Sequence, residues 1–199
     1  MAMPMQQSLD RTTLLRRGGA ILVGGAAFGL VPTATAAAPD EDVAYARLLI
    51  GVELLAVDFQ TQAIASGKLD SATQKVLTGI LAQEKGHVAG LSSLVAGAGQ
   101  VPATADDVDF AYPRETFSSA DSIAKFAASI ETLALGAYLG AVENVQTPRW
   151  RLPIGQIAAS EAQHVAALAD AAGMPVLGRA FAPALQIDAV SAALDAYES

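Results

Sequence analysis

The sequence contains no cysteine and only two histidines, and both scarcities narrow the range of functions. Without cysteine the chain has no disulfides, thiolate metal sites or cysteine nucleophiles, and it carries no rubredoxin-type iron centre. No segment has the ~20 uninterrupted apolar residues that a membrane-spanning helix needs. We therefore expect a soluble mature protein without stable membrane insertion.

Positive charge is also scarce. The chain has 12 Lys and Arg against 20 Asp and Glu, a formal net charge of −8. Residues 1–38 contain three arginines and one aspartate, so their removal would change this charge by −2, to −10. So acidic a chain argues against nucleic acid and anionic membranes as partners. We find no Ser-His-Asp set and no phosphate-binding loop.

Residues 1–38 have the pattern of an export signal. Arg11 and the pair Arg16-Arg17 form a basic start, residues 18–31 are weakly hydrophobic, and Ala34-Thr35-Ala36 is a small-residue cleavage site. The arginine pair resembles a twin-arginine signal. It predicts export to the periplasm, cell envelope or exterior, with cleavage near Ala36. An ordinary secretory signal or an uncleaved anchor remains the alternative.

Beyond the signal, the composition favours helices. Hydrophobic residues make up 52% of the chain, alanine is abundant, and no alternating apolar pattern typical of strands occurs. Capping and breaking residues predict five helices. The first spans about 41–66 with Asp40 as its cap, and the second runs from Asp70 or Ser71 to 97. The third runs from Ser118 or Ser119 to about Gln146, the fourth has Pro153 in its first turn and ends at Gly173, and a short fifth lies at about 187–197.

The connections between these helices predict the topology. Residues 100–118 contain Pro102 and Pro113 without a helical period, and form a long connection between two short ones. Two antiparallel hairpins joined by a long crossover make an all-α, ferritin-like four-helix bundle. We place this bundle at 39–175, followed by a tail at 176–199 with a short C-terminal helix.

A carboxylate and histidine pattern occurs twice along the chain. Its members are Glu53, Glu84, His87, Glu131, Glu161 and His164. The offset between the halves is 78 residues for the first glutamates and 77 for both the second glutamates and the histidines. In each Glu-x-x-His pair, the side chains leave one helix face within a turn of each other. Six inward ligands on four helices predict a site for a pair of metal ions.

A single Glu-x-x-His pair is more often a solvated or ion-paired surface feature than a metal site. Here, however, Glu53 and Glu131 each lie in an apolar stripe, beside Ile50 and Ala56 in one helix and Ala128 and Ala134 in the other. Burying several carboxylates without cations would cost several kcal/mol for each ion. Four carboxylates and two divalent cations balance to zero charge, which favours the metal site.

Residues 40–173 resemble the ferritin-like superfamily, specifically exported bacterial ferritin-like domain proteins related to plant desiccation-associated proteins. The resemblance rests on the whole ordered set of four glutamates and two histidines. It implies two iron or manganese ions per chain, with Glu53 and Glu131 as terminal ligands and Glu84 and Glu161 as bridging ligands. His87 and His164 would each supply one metal with its single imidazole. Cage-forming ferritins have a less symmetric ligand set, and the additional glutamates of rubrerythrins are not recognisable here.

Two functional hypotheses follow. The first is an oxidoreductase that acts on Fe²⁺, O₂ or peroxide outside the cytoplasm; the second is a non-enzymatic metal-binding or stress- and desiccation-protective structural protein. Gln60 and Tyr138 lie seven residues after Glu53 and Glu131, on the same helix faces. Tyr138 is a candidate to hydrogen-bond a ligand or carry a radical, although we favour a core aromatic. The choice between iron and manganese and the presence of a homo-oligomer stay open.

Overall fold

The computed structural model describes residues 38–197, and this part of the chain is helical without a β-strand. The signal predicted at 1–38 lies almost wholly outside the described residues. Residues 38–197 form five α-helices: α1 (Asp40–Ala65), α2 (Ser71–Gly97), α3 (Ala120–Asn144), α4 (Pro148–Ala171) and α5 (Ile187–Asp195). The prediction of an all-α bundle with a short C-terminal helix is confirmed.

The helix ends follow mostly from the predicted caps and glycine stops. Asp70 accepts hydrogen bonds from the backbone N–H groups of Ala72 and Thr73, and Ser119 caps α3 through the N–H of Ser122. Positive φ angles of 66°, 77° and 62° follow α1, α2 and α4, at Gly67, Gly99 and Gly173. Glycine adopts these angles at little cost, so each predicted stop lies next to a real helix end.

Two predicted helix starts were wrong. Asp40 is the first residue of α1 instead of its cap, because Pro39 precedes it in an extended conformation. Pro148 opens α4, so Pro153 lies inside that helix and not in its first turn. A proline at the first helical position suits its missing N–H. The third helix ends at Asn144, two residues before the predicted end.

The first and third helices run antiparallel, with the start of α1 beside the end of α3. The buried Asp42 carboxylate shows this most directly, because it accepts hydrogen bonds from the N–H groups of Gln146 and Thr147 at 2.9 and 2.7 Å. The crossover, residues 98–119, therefore passes along the bundle from one end to the other, with a short 3₁₀-helix at Ala105–Asp107.

The crossover and the C-terminal tail pack on α1 and α3. Aromatic rings from α1, the crossover, α3 and the tail pack with centroids 5.2 to 6.3 Å apart: Phe59, Tyr112, Phe117, Phe126 and Tyr197. The tail then lies on α3, where the N–H of Leu185 donates to the carbonyl of Gly136 at 2.8 Å. A Cβ atom at Gly140 would lie 1.9 Å from the Leu185 carbonyl oxygen, so only glycine permits this contact.

The α1 helix is long and apolar enough to cross a membrane, judged by length and composition. Its buried residues instead belong to the core that it forms with the other helices. They include Glu53 and Gln60, both fully buried. This burial is the pattern of a core helix that holds part of a polar centre.

Candidate metal centre

All six predicted ligands meet at one place in the middle of the bundle. They form two overlapping groups, each with four ligand atoms within 4.8 Å of one another. Glu53 and His87 belong only to the first group, whereas Glu131 and His164 belong only to the second. Glu84 and Glu161 belong to both groups. The geometry therefore has two centres with two shared carboxylates.

Both histidines direct their Nδ1 atoms towards the carboxylates. His87 Nδ1 lies 3.0 Å from oxygen atoms of Glu84 and Glu161 and 3.6 Å from Glu53. His164 Nδ1 lies 2.8 Å from Glu84, 3.4 Å from Glu131 and 3.5 Å from Glu161. The ring centroids are 5.9 Å apart. Each imidazole thus faces the two shared carboxylates and one unshared carboxylate.

Two buried residues hold the unshared carboxylates, and each does so across the bundle. The Gln60 amide on α1 donates to Glu131 Oε1 on α3 at 2.7 Å. The Tyr138 hydroxyl on α3 donates to Glu53 Oε1 on α1. The sequence showed that Gln60 and Tyr138 occupy matching positions. It did not show that each would bond a glutamate of the other hairpin. Tyr138 is both a fully buried core residue and a partner of a candidate ligand.

A further contact, which the sequence analysis missed, orients one imidazole. Gln83 on α2 accepts hydrogen bonds from Ser160 at 2.8 Å and from His164 Nε2 at 3.2 Å. A proton on Nε2 leaves the Nδ1 lone pair directed at the carboxylates. Gln83 and Ser160 are 77 residues apart, like Glu84 and Glu161, so the internal repeat offered a signal for this pair.

A family model described as ferritin-like domain matches residues 41–174, about two thirds of the chain. The protein belongs to the ferritin-like domain family. The match covers all four helices of the bundle and all six candidate ligands. A search of curated proteins finds no match to the chain.

Several buried polar atoms of this ferritin-like domain make no hydrogen bond of acceptable geometry, although some of them lie close to one another. They lie almost entirely within the centre: Glu53 Oε2, Gln60 Oε1, Glu84 Oε1, Glu131 Oε2, both Glu161 oxygens and His164 Nδ1. An unsatisfied buried polar group costs about 1–3 kcal/mol, and more when it is charged. Their convergence on two points is what a pair of cations would require. The oxygen and imidazole donors fit iron or manganese, and the buried cluster is compatible with a metal-binding protein.

The pKa values of the clustered side chains show how strongly these residues interact. Burial raises the pKa values of Glu53 and Glu131 well above the usual range of a glutamate. Burial alone would lower the pKa of His87, but Glu161, Glu53 and Glu84 raise it to about 12. The same opposition raises the pKa of His164 to about 11. Without cations, protons on these groups offset the buried negative charge, and metal binding would displace them.

The shared glutamates show the opposite shift. Burial alone would raise the pKa of Glu84, but its close contacts with Glu53, His164 and His87 hold it well below its usual range. The pKa of Glu161 is lowered against the effect of burial by the two nearby imidazoles, His164 and His87. Burial and the neighbouring Glu53 raise the pKa of Tyr138, so its hydroxyl keeps the proton that it donates. The shared positions are thus the ones that stay ionised.

Proposed function

We propose that this ferritin-like protein holds two iron or manganese ions per chain and acts as an oxidoreductase on Fe²⁺, O₂ or peroxide. The observation that supports the site is the set of orphaned, fully buried carboxylate oxygens facing two imidazole Nδ1 atoms. Four carboxylates balance the charge of two divalent cations, which removes the cost of burying the carboxylates alone.

The roles of the residues follow from their contacts. Glu84 and Glu161, which belong to both groups, would bridge the ions, whereas Glu53 and Glu131 would each bind one of them. His87 and His164 would complete the two shells. Tyr138 and Gln60 orient the terminal carboxylates, and Gln83 selects the tautomer of His164. Such outer contacts tune both the orientation and the basicity of metal ligands.

Held by these residues, a pair of Fe²⁺ ions would supply the two electrons needed to reduce peroxide. The overall reaction converts one H₂O₂ and two protons to two water molecules while two Fe²⁺ ions are oxidised to Fe³⁺. The alternative is a metal-binding structural protein in which the centre only holds the bundle together. Turnover separates the two, because a structural site would bind metal without consuming oxidant.

Metal content and turnover test this proposal together. After anaerobic loading and removal of free metal, the protein should retain about two ions per chain, as six inward ligands on four helices require. The loaded protein should then consume O₂ or H₂O₂ over many cycles when Fe²⁺ is supplied. Stoichiometric binding without turnover would favour the structural alternative, and a protein that retains neither Fe²⁺ nor Mn²⁺ would reject the dinuclear centre.

Localisation is the second part of the proposal: the chain is exported through a twin-arginine signal and acts in the periplasm, envelope or exterior. Export of a folded protein would let the centre acquire its metal in the cytoplasm, where availability differs from that outside. We expect Arg16→Lys with Arg17→Lys to leave precursor inside the cell, and exported wild-type protein to begin near Ala37. Fractionation with N-terminal sequencing tests this expectation. Unchanged export of the double variant would reject the twin-arginine route, whereas exported protein that begins at Met1 would indicate an anchor.

A further inference from the structure

The six candidate ligands differ in their access to solvent. The four glutamates are fully buried, and the side chain of His164 is 3% exposed. The side chain of His87 is 13% exposed, the largest value in the set. Among the six candidate ligands, His87 is therefore the one with the most contact with solvent.

The four helices of the bundle are also buried to different extents. The α1 and α3 helices bury fourteen and twelve residues, because the tail and the crossover pack on their outer sides. The α2 and α4 helices bury only six and seven. Within residues 38–197, the side of the bundle formed by α2 and α4 is thus the thinly covered one, and His87 lies on α2.

Two glycines border His87 on this thinly covered side. Gly86 directly precedes it, and Gly90 follows one turn later. A Cβ atom at either position would have no atom of the described structure within 4 Å, outside its own local backbone. Glycine inside a helix is unfavourable compared with alanine. On α3, close contact with the tail explains Gly136 and Gly140, but no such contact explains Gly86 and Gly90.

The contacts of Gln83 show which edge of α2 lies next to α4. Gln83 lies one turn before His87 and contacts Ser160 and His164, so this edge of α2 faces α4. Gly90 follows Gln83 by seven residues, two helical turns, and therefore lies on the same edge. Gln83 and Ser160 join the two helices on one side of His87, and Gly90 leaves space on the other. Gly86 lies about 200° around the helix from the inward Glu84 and faces solvent.

We propose that metal ions reach the centre past His87, through the space that Gly90 leaves at the edge of α2. The position formed by Glu53 and His87 is then the one that exchanges with solvent, and the position formed by Glu131 and His164 is filled through it. This inference rests on the proposed dinuclear function, but it concerns the rate of metal uptake and not catalysis.

Substitution of the glycines by leucine tests this route. In Gly90→Leu a side chain would fill this space, and we expect Mn²⁺ uptake and its loss to a chelator to slow by roughly tenfold. That factor corresponds to a rise of about 1.4 kcal/mol in the barrier. Gly86→Leu, whose side chain would point to solvent, should leave both rates unchanged. Stopped-flow competition with a fluorescent chelator measures both rates. The number of ions bound at equilibrium should stay the same, because no ligand changes.

Gly79→Leu is a matched control. Gly79 is an exposed glycine of the same helix with equally open surroundings, two turns before Gly86. All three variants should melt at or above the wild-type temperature, because leucine favours a helix more than glycine does. Unchanged uptake in Gly90→Leu, or equal slowing in Gly79→Leu or Gly86→Leu, would overturn the route. Wild-type protein that binds no Mn²⁺ or Fe²⁺ would instead reject the proposed function.

Discussion

Anaerobic loading with Fe²⁺ or Mn²⁺ is expected to raise the melting temperature of the metal-free protein by about 8–16 °C. A ligand held at 1,000 times its Kd contributes about 4 kcal/mol when it binds only the folded state. For a chain of this size, 1 kcal/mol corresponds to roughly 2–4 °C. The ligands come from four separate helices and form the site only in the folded bundle. Calorimetry with and without metal measures the shift.

The control for this experiment removes exposed carboxylates instead of buried ones. Glu41 and Glu143 lie on α1 and α3, as Glu53 and Glu131 do, but both are exposed. The double variant Glu41→Gln with Glu143→Gln should keep the full thermal shift. A chelator should reverse the shift in wild-type protein and in this control. An unchanged melting temperature at saturating metal would show that the carboxylate cluster does not take up cations in the folded state.

The second large effect is expected from Glu53→Gln combined with Glu131→Gln. The metal-free form of this variant should be more stable than wild-type at neutral pH, because burial raises the pKa values of Glu53 and Glu131, so folding requires protons that the ionised carboxylates of the unfolded chain have released. Glutamine needs no such proton, and the gain should grow with pH by about 1.4 kcal/mol for each unit of raised pKa. Both outer contacts survive, since an amide oxygen can accept hydrogen bonds from Tyr138 and Gln60. Urea unfolding of metal-free protein measures this gain.

The same variant should lose tight metal binding and the thermal shift that accompanies it. An amide carries no charge, so the two shared glutamates alone would face two divalent cations. Titration calorimetry with Mn²⁺ should therefore show strongly weakened binding, while the Glu41→Gln and Glu143→Gln control binds like wild-type. If the metal-free variant is no more stable than wild-type, burial of Glu53 and Glu131 does not lower the stability of the folded protein.

Local signals accounted for much of the fold. Gly67, Gly99 and Gly173 mark helix ends, since few other residues adopt positive φ readily. Asp70 and Ser119 cap α2 and α3 through hydrogen bonds to residues two or three positions away. The start of α4 was predicted wrongly because Pro148 and Pro153 both suit a first turn. Nothing local distinguished them.

By itself, the sequence determined which six residues would meet, because the repeat of about 77 residues placed equivalent side chains on equivalent helix faces. Only the tertiary structure decided which side chains of different helices contact one another. Gln60 and Tyr138 each hold a carboxylate of the opposite hairpin, and Gln83 joins Ser160 to His164. It also decided that the tail covers α3 and leaves the edge of α2 open at His87. Helical periodicity specifies which face a residue occupies, whereas the neighbour of that face depends on how separate helices pack.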